Sequence, residues 1–189
     1  IINGYIGSLD FFIKDIGPGN CLIDNWIRNN SEKKFDENGN LSKSWEINEI
    51  ILEQAQELFA NRKNLKKLSF DLSDFDISFA RGLSLENGSR TLTELTANVL
   101  GEAIINECQK LNIKAKKILL CGGGRKNKFL IEKIQRNIKS YTNLQLIDDF
   151  QINGDFVESQ AFAFLAIRSF IKLPITFPNT TGCKSPCLG

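Results

Sequence analysis

The sequence predicts an α/β fold built as one domain. Amphipathic helical segments alternate along the chain with short apolar runs of the kind that form buried strands. The 189 residues are 42% hydrophobic, which is enough for a single core, and they show no internal repeat and no convincing domain boundary. Residues 1–189 are therefore taken as a single domain.

Each predicted element is assigned from the spacing of its apolar residues. Recurrence every three to four residues indicates a helix, and a short continuous apolar run indicates a buried strand. In chain order the assignments are a strand pair within 1–14 that turns at Gly7 and Ser8, helices over 21–28, 47–59 and 91–111, a buried strand over 117–121, a helix over 129–138, a strand over 144–147 and a helix over 155–171. Residues 29–44 are typical of a surface loop, residues 69–82 show no firm period, and the tail over 179–189 is irregular.

Helix starts are assigned from capping residues. Asn20 is a favoured N-cap residue for the first helix. Thr91 with Glu94, and Asp155 with Glu158, match the spacing of a capping box, in which two side chains satisfy free N–H groups of the first turn. The last helix is expected to bury an apolar stripe made of Phe162, Leu165, Ala166 and Phe170.

The composition excludes several classes of function. The net charge of +2 is too small to favour nucleic acid or an anionic membrane, and no apolar run approaches the roughly 18 residues of a membrane span. The absence of histidine excludes any histidine-based triad, general base or metal ligand. Five cysteines without zinc-like spacing favour a reducing cytoplasm. Because the sequence starts with Ile1 and lacks methionine, we expect a processed, excised or split product.

A short loop after the first strands carries a carboxylate, Asp15, followed by Ile-Gly-Pro-Gly-Asn. Gly17 and Gly19 allow a ligand to approach the backbone, and Pro18 stiffens the turn. Loops at the mouth of an α/β sheet are where such proteins place a reactive acid. The alternative is that Asp15 only bonds to the backbone of its own turn, as Asp before glycine often does.

A second loop, Gly122-Gly123-Gly124, joins a predicted buried strand to a predicted helix. In that arrangement free N–H groups and the positive end of the helix dipole bind phosphate or a nucleotide. The residues match neither the Gx4GK[ST] nor the GxGxxG pattern. The loop is equally consistent with a tight turn that needs small residues.

Three motifs in this order and spacing resemble one family. They are Asp15-Ile-Gly-Pro-Gly-Asn20, Cys121-Gly-Gly-Gly124 with Asn127, and Gly154-Asp-Phe-Val-Glu158 followed by Ala161-Phe-Ala-Phe-Leu-Ala166. Together they resemble the C-terminal half of anhydro-N-acetylmuramic acid kinase, an actin-like sugar kinase of peptidoglycan recycling. The resemblance implies an actin-like, ribonuclease H-like ATPase lobe with a mixed sheet flanked by helices.

The resemblance also implies a chemistry. The family uses ATP and magnesium to open the 1,6-anhydro ring of its sugar with water while it phosphorylates the 6-oxygen. By this match Asp15 is the general base that activates the water, and Glu158 contacts the sugar. No protein ligand for a metal is implied. The same match assigns seven residues to nucleotide binding: Gly17, Gly19, Asn20, Gly122, Gly123, Gly124 and Asn127.

Several positions depart from the family's pattern. The family's N-terminal phosphate loop is absent, Arg125 stands in place of a small residue, and Ile16 stands in place of threonine. Phosphoryl transfer depends on positioning and charge neutralisation between two lobes. We therefore expect a kinase lobe that is inactive without its N-terminal lobe, which is lost by excision or encoded separately. The expected protein partner is a separate N-terminal lobe or a second copy in a homodimer. A non-catalytic remnant or interaction module, and an unrelated nucleotide-binding α/β protein, are the alternatives.

Overall fold

The structure is a computed structural model that describes residues 2–6, 10–14, 16–65, 76–110 and 117–189, with the backbone alone described for 2–6, 10–14 and 61–65. The helices in these ranges are α1 (Cys21–Asn30), α2 (Asn40–Lys43), α3 (Glu49–Leu65), α4 (Leu85–Lys110), α5 (Lys128–Ile138), α6 (Val157–Phe170) and α7 (Pro178–Thr181). The strands are β1 (Ile2–Ile6), β2 (Asp10–Lys14), β3 (Ile118–Leu120) and β4 (Leu144–Leu146). The tail is thus not wholly irregular, because it contains α7. Among the described helices, none has both the length and the apolar character needed to cross a membrane.

The described strands form two separate pairs. β1 and β2 are antiparallel, with Ile2 opposite Lys14, which confirms the predicted strand pair; Gly7 and Ser8, its predicted turn, lie outside the described residues. β3 and β4 are parallel, and α5 makes the crossover between them. The described part of the chain is therefore mostly helical with small strand pairs, and it does not contain one continuous mixed sheet.

Helix α4 is the centre of the fold. Helices α1, α2, α3 and α5 each pack against it. Leu92 and Leu95 of α4 are buried in the same cluster as Trp26 of α1. Gly88 lies so close to the indole ring of Trp26 that a Cβ atom would overlap it, and the indole N–H donates to the carbonyl of Leu85 at 2.9 Å. These contacts fix α1 on α4, and with it the loop that precedes α1.

The start of α4 corrects the predicted capping box. The helix begins directly after Ser84, whose hydroxyl oxygen accepts the N–H of Asn87 at 3.1 Å. Thr91 and Glu94 lie inside the helix. The hydroxyl of Thr91 donates to the carbonyl of Asn87 at 2.8 Å, and Glu94 forms an ion pair with Arg90 at 2.6 Å. The prediction is wrong because both side chains already have partners within the helix.

Residues 29–44, predicted as a surface loop, contain a buried carboxylate. Asp36 is 2% exposed and accepts the backbone N–H groups of Leu41 (2.8 Å) and Ser42 (2.9 Å). The hydroxyl of Ser42 donates to the same carboxylate at 2.7 Å and lies 2.8 Å from the hydroxyl of Thr93 in α4. Asp36 therefore caps α2 and ties it to α4. The surface-loop prediction is wrong for this part of the segment.

Two apolar segments are more exposed than the sequence predicted. In the expected buried stripe of α6, Phe162 is 65% exposed and Phe170 is 86% exposed. Leu119 of β3 is 42% exposed, so this strand is not fully buried. The reason is similar in both cases. Among the described residues β3 pairs only with β4, and no other helix packs along α6.

Replacing Asp36 with alanine should destabilise the chain by about 3 kcal/mol, because two backbone N–H groups and one hydroxyl in a buried site lose their acceptor. Glu37→Ala is the matched control. It removes an exposed neighbouring carboxylate and should change the free energy of unfolding by less than about 0.5 kcal/mol. Urea denaturation followed by circular dichroism measures both. Equal effects of the two substitutions would contradict the role assigned to Asp36.

Candidate functional site

The structure brings the two predicted loops together. Asn127, at the end of the glycine-rich turn, directs its Nδ2 toward the Oδ1 of Asn20 at 3.4 Å. A Cβ atom on Gly124 would lie 3.9 Å from the Cβ of Asn20, an ordinary contact distance. Asn20 does precede α1, but its side chain does not cap that helix and instead donates to Asp24 at 3.1 Å. The last residues of the two loops therefore share one place in the fold.

The glycine-rich turn contains two residues, Gly123 and Gly124, whose small size the described contacts do not explain. Gly122 has φ +76°, the left-handed region that favours glycine, and its N–H donates to the carbonyl of Gly154 at 2.9 Å. Gly123 does not share that left-handed φ, and no described atom lies within 4 Å of the position its Cβ would take. Glycine at this position keeps that space open beside the turn.

Asn127 is part of the framework of the turn. It is buried, and its Oδ1 accepts the N–H of Leu130 at 3.0 Å, which caps α5. This contact holds the start of α5 against the glycine-rich turn. The positive end of the helix dipole is therefore positioned beside Gly123 and Gly124.

The glycines of the first loop have structural reasons for their size. A Cβ atom on Gly17 would lie 2.9 Å from Cγ1 of Val99 in α4, so the loop can pack on α4 only with glycine there. Gly19 has φ +55°, a conformation that other residues rarely adopt. These observations leave the predicted nucleotide contacts of Gly17 and Gly19 untested, and they remain predictions.

Both loops open on one cleft of about 1500 Å³. Its walls are formed by the loop before α1, one face of α1, the turn before α2, the glycine-rich turn and the ends of β3 and β4. Among the predicted site residues, Asn20, Gly123, Gly124 and Asn127 line it. Burial raises the pKa of the carboxyl group of Asp24, which lies on the α1 wall. The cleft is wide enough for a ligand of nucleotide size.

Arg125 does not crowd the glycine-rich turn, because it points away into a set of carboxylates. Its Nε and Nη2 donate to the two oxygens of Asp148 at 2.7 and 3.0 Å, and its Nη1 donates to Asp155 at 2.6 Å. Nη1 also donates to the carbonyl of Gly122 at 3.0 Å. The guanidinium lies against Gly154, where a Cβ atom would overlap it. Arg125 thus links the turn to β4 and to the start of α6.

This arrangement sets the charge state of its members. The hydrogen bonds from Arg125 lower the pKa of Asp148 to about 2, and they lower the pKa of Asp155 with a further contribution from Lys126. The same bonds raise the pKa of the Arg125 guanidinium. All three groups are therefore charged at neutral pH, and the positive charge of Arg125 is compensated by the two carboxylates.

The two predicted residues of catalysis and sugar binding are not brought to the cleft by the described contacts. Asp15 lies outside the described residues. Glu158 is exposed in the first turn of α6 and is not among the residues that line the cleft. The predicted capping box of α6 is wrong, because the helix begins after Phe156 and the Asp155 carboxylate binds Arg125 and Lys126 instead.

The sequence analysis missed the partners of Arg125. Asp148 follows a predicted strand, and a carboxylate at the end of a strand next to a glycine-rich turn is a signal that could have found it. The sequence predicts Asp155 as a helix cap, a role that does not indicate its ion pairs with Arg125 and Lys126. In the described part of the chain no group of three or more His, Cys, Asp or Glu side chains is arranged to hold a metal ion.

Comparison with known proteins confirms the resemblance seen in the three motifs. The sequence profile of the family described as anhydro-N-acetylmuramic acid kinase matches residues 9–189. Two relatives of that name, from Pelagibacter ubique and Zymomonas mobilis, are 48% identical over 175 residues and 33% identical over 182 residues. A third, from Agrobacterium fabrum, is 35% identical over 176 residues.

The matches cover most of this chain and a smaller share of each relative. They include 93%, 95% and 93% of this chain, but 47%, 47% and 46% of the three relatives in the order given. The chain therefore spans about half the length of the curated relatives it matches.

Arg125→Gln should raise the pKa of Asp148 from about 2 toward its ordinary value of 3.8, because the hydrogen bonds that stabilise the carboxylate are lost. The depressed pKa also stabilises the fold. That contribution is complete above about pH 4 and is lost as the pH falls to about 2. Carbon-detected NMR of the carboxyl groups measures the titration. Arg136→Gln, which removes an exposed arginine at the far end of α5, should leave the pKa of Asp148 unchanged. A normal pKa for Asp148 in the unmodified chain would contradict the assignment.

Proposed function

Because the chain belongs to the anhydro-N-acetylmuramic acid kinase family, we propose that residues 1–189 are the C-terminal lobe of a kinase of this type. The lobe would have the actin-like fold, with the sheet completed around the described strands. The complete enzyme would use ATP to phosphorylate the 6-oxygen of 1,6-anhydro-N-acetylmuramic acid and would open its anhydro ring with water. This reaction belongs to cell-wall recycling in the cytoplasm. The chain would be inactive without the other half.

The observation that carries the proposal is the glycine-rich turn at the start of α5. Gly123 leaves open space where other residues would place a side chain, and the turn lies against the loop that ends at Asn20. Backbone N–H groups and the helix dipole at this point favour a phosphate group. Gly122, Gly123 and Gly124 are therefore proposed to hold the phosphates of ATP, with Asn127 and Asn20 fixing the turn.

The residues of the cleft fit a nucleotide with magnesium. Mg²⁺ commonly keeps several waters and binds one or two carboxylates together with the phosphates of the nucleotide, so a complete protein cage is not needed. Asp148 is engaged by Arg125, whereas the neighbouring Asp149 lines the cleft and is exposed. Bound ATP with magnesium would supply the phosphoryl group. The chain would supply the backbone N–H groups of the glycine-rich turn and the positive end of the α5 dipole, which together position the phosphates.

Asp15 is proposed as the general base. In the sequence it follows β2 directly and precedes the loop that ends at Asn20. An ionised carboxylate can accept a proton from the water that attacks the anhydro carbon when the two lie within hydrogen-bond distance. Glu158 is proposed to accept hydrogen bonds from hydroxyl or amide groups of the sugar. Its exposure at the start of α6 leaves it accessible to a substrate held between two lobes.

A second candidate is a nucleotide-binding module without catalytic activity. It is favoured by the glycine-rich turn itself, because nucleotide binding at this turn does not require the second lobe on which phosphoryl transfer depends. The two candidates agree on ATP binding and differ on phosphoryl transfer. Transfer in the presence of a complementary N-terminal lobe separates them.

Gly123→Val should abolish ATP binding without destabilising the chain. The added side chain fills the space proposed for phosphate, and no described atom lies close enough to clash with its Cβ. Isothermal titration calorimetry measures the affinity, and a thermal melt of the same sample is the control. Retained ATP binding in a folded variant would contradict the assignment of the turn. A large loss of thermal stability would show instead that the turn is packed against part of the chain.

Mixing this chain with the complementary N-terminal lobe of a full-length relative should restore ATP-dependent phosphorylation of the anhydro sugar. Asp15→Asn should lower the rate by about 10² to 10⁴-fold, because the amide cannot accept the proton of water. Glu53→Gln, which changes an exposed carboxylate of α3 outside the cleft lining, is the control and should leave the rate unchanged. Full activity of the Asp15→Asn mixture would overturn the assignment of the base.

A further inference from the structure

Two neighbouring cations of the glycine-rich turn share one carboxylate. The Nη1 of Arg125 donates to the Oδ1 of Asp155 at 2.6 Å, and the Nζ of Lys126 donates to its Oδ2 at 2.7 Å. Each cation thus uses a different oxygen of the same group. Either ion pair can therefore break while the other is kept.

The two cations differ in how firmly they are held. The side chain of Arg125 is 7% exposed, and it has further hydrogen bonds to both oxygens of Asp148 and to the carbonyl of Gly122. The side chain of Lys126 is 63% exposed. Exposed lysine–carboxylate pairs contribute little to stability, whereas a buried, bidentate arginine is costly to displace. Lys126 is the cation that can leave.

The departure of Lys126 would leave no carboxylate unpaired. Asp155 would keep its bond to Arg125, and Arg125 would keep Asp155 in place through its own bonds to Asp148. Lys126 lines the same cleft as Gly123 and Gly124, at the turn where the phosphates are proposed to lie. A nucleotide phosphate carries more negative charge than a carboxylate and offers more acceptor oxygens. It would therefore compete well for the lysine ammonium group.

We propose that Lys126 is the phosphate-binding cation of the glycine-rich turn and that it exchanges Asp155 for the phosphates when a nucleotide enters. Arg125 is the positioning residue of this exchange, because it fixes Asp155 and compensates its charge after Lys126 has moved. The inference rests on the proposed nucleotide-binding function. Lys126 would raise the affinity for a ligand with two or three phosphates and would not change the affinity for a nucleoside.

The preference for phosphates gives a direct test on the full chain. Lys126→Met keeps the length of the side chain and removes its charge. It should weaken ATP binding by about fivefold to tenfold, the effect of losing one charge-assisted hydrogen bond that replaces an exposed ion pair, and it should leave adenosine binding unchanged. The dependence of ATP affinity on salt should become weaker in the same variant. Calorimetry at two salt concentrations measures these effects.

Lys139→Met is the matched control. Lys139 is exposed at the opposite end of α5 and is outside the cleft lining, so its loss tests the effect of net charge alone. ATP affinity should fall by less than about twofold in this variant. Both variants should melt at nearly the same temperature as the unmodified chain, because each removes an exposed side chain.

The possible failures are distinguishable. Equal loss of ATP affinity in the two variants, or a loss for adenosine as large as that for ATP, overturns the role of Lys126. ATP affinity that is insensitive to Lys126→Met overturns it as well and leaves the proposed nucleotide site intact. If the unmodified chain binds neither ATP nor adenosine, the proposed nucleotide function fails together with this inference.

Discussion

The buried side chain of Asn127 is the contact on which the candidate site depends. Its Oδ1 accepts the N–H of Leu130, and its Nδ2 points toward Asn20. The Oδ1 also lies so close to Gly39 that a Cβ atom on that residue would overlap it. A buried amide that loses its partners is costly, so this side chain has little freedom to turn. The glycine-rich turn, α5 and the loop before α1 therefore keep a fixed relation. The segment held by Asp36 packs against the start of α5 through Gly39, which lies next to Asn127 and Phe129.

Charge compensation is the second constraint on the site, and it acts from the other side of the turn. Arg125 is buried beside Gly154, and a buried cation is tolerated only with close partners of opposite charge. Asp148 and Asp155 supply them, one from the end of β4 and one from the start of α6. The turn is thus held by uncharged contacts through Asn127 and by ion pairs through Arg125. Its open side faces the cleft, so the contacts of Asn127 and Arg125 can be kept when a ligand enters.

Local sequence patterns predicted the elements that depend on residues near in sequence. They did not predict the burial and contacts that depend on residues far apart in sequence. The strand pair, α5 and the parallel strands follow from apolar spacing and turn residues. Ser84 and Thr91 are both acceptable caps, and the choice between them depends on contacts that Thr91 makes inside the helix. The exposure of Phe170 and the burial of Asp36 depend on which elements pack nearby. For the same reason, the direction of the Arg125 side chain is set by carboxylates that are distant in sequence, Asp148 and Asp155.

The glycines show how structural and functional reasons for one residue type separate. Gly17 and Gly88 have a structural reason, because Val99 and Trp26 leave no space for a side chain at these positions. This packing requires glycine whether or not a ligand binds. Gly123 has neither a crowded neighbour among the described atoms nor the left-handed backbone that favours glycine. Glycine at such a position weakens the fold slightly, since it has more freedom in the unfolded chain than alanine. Because the described contacts give Gly123 no packing reason, we propose that its small size serves a ligand that approaches the backbone.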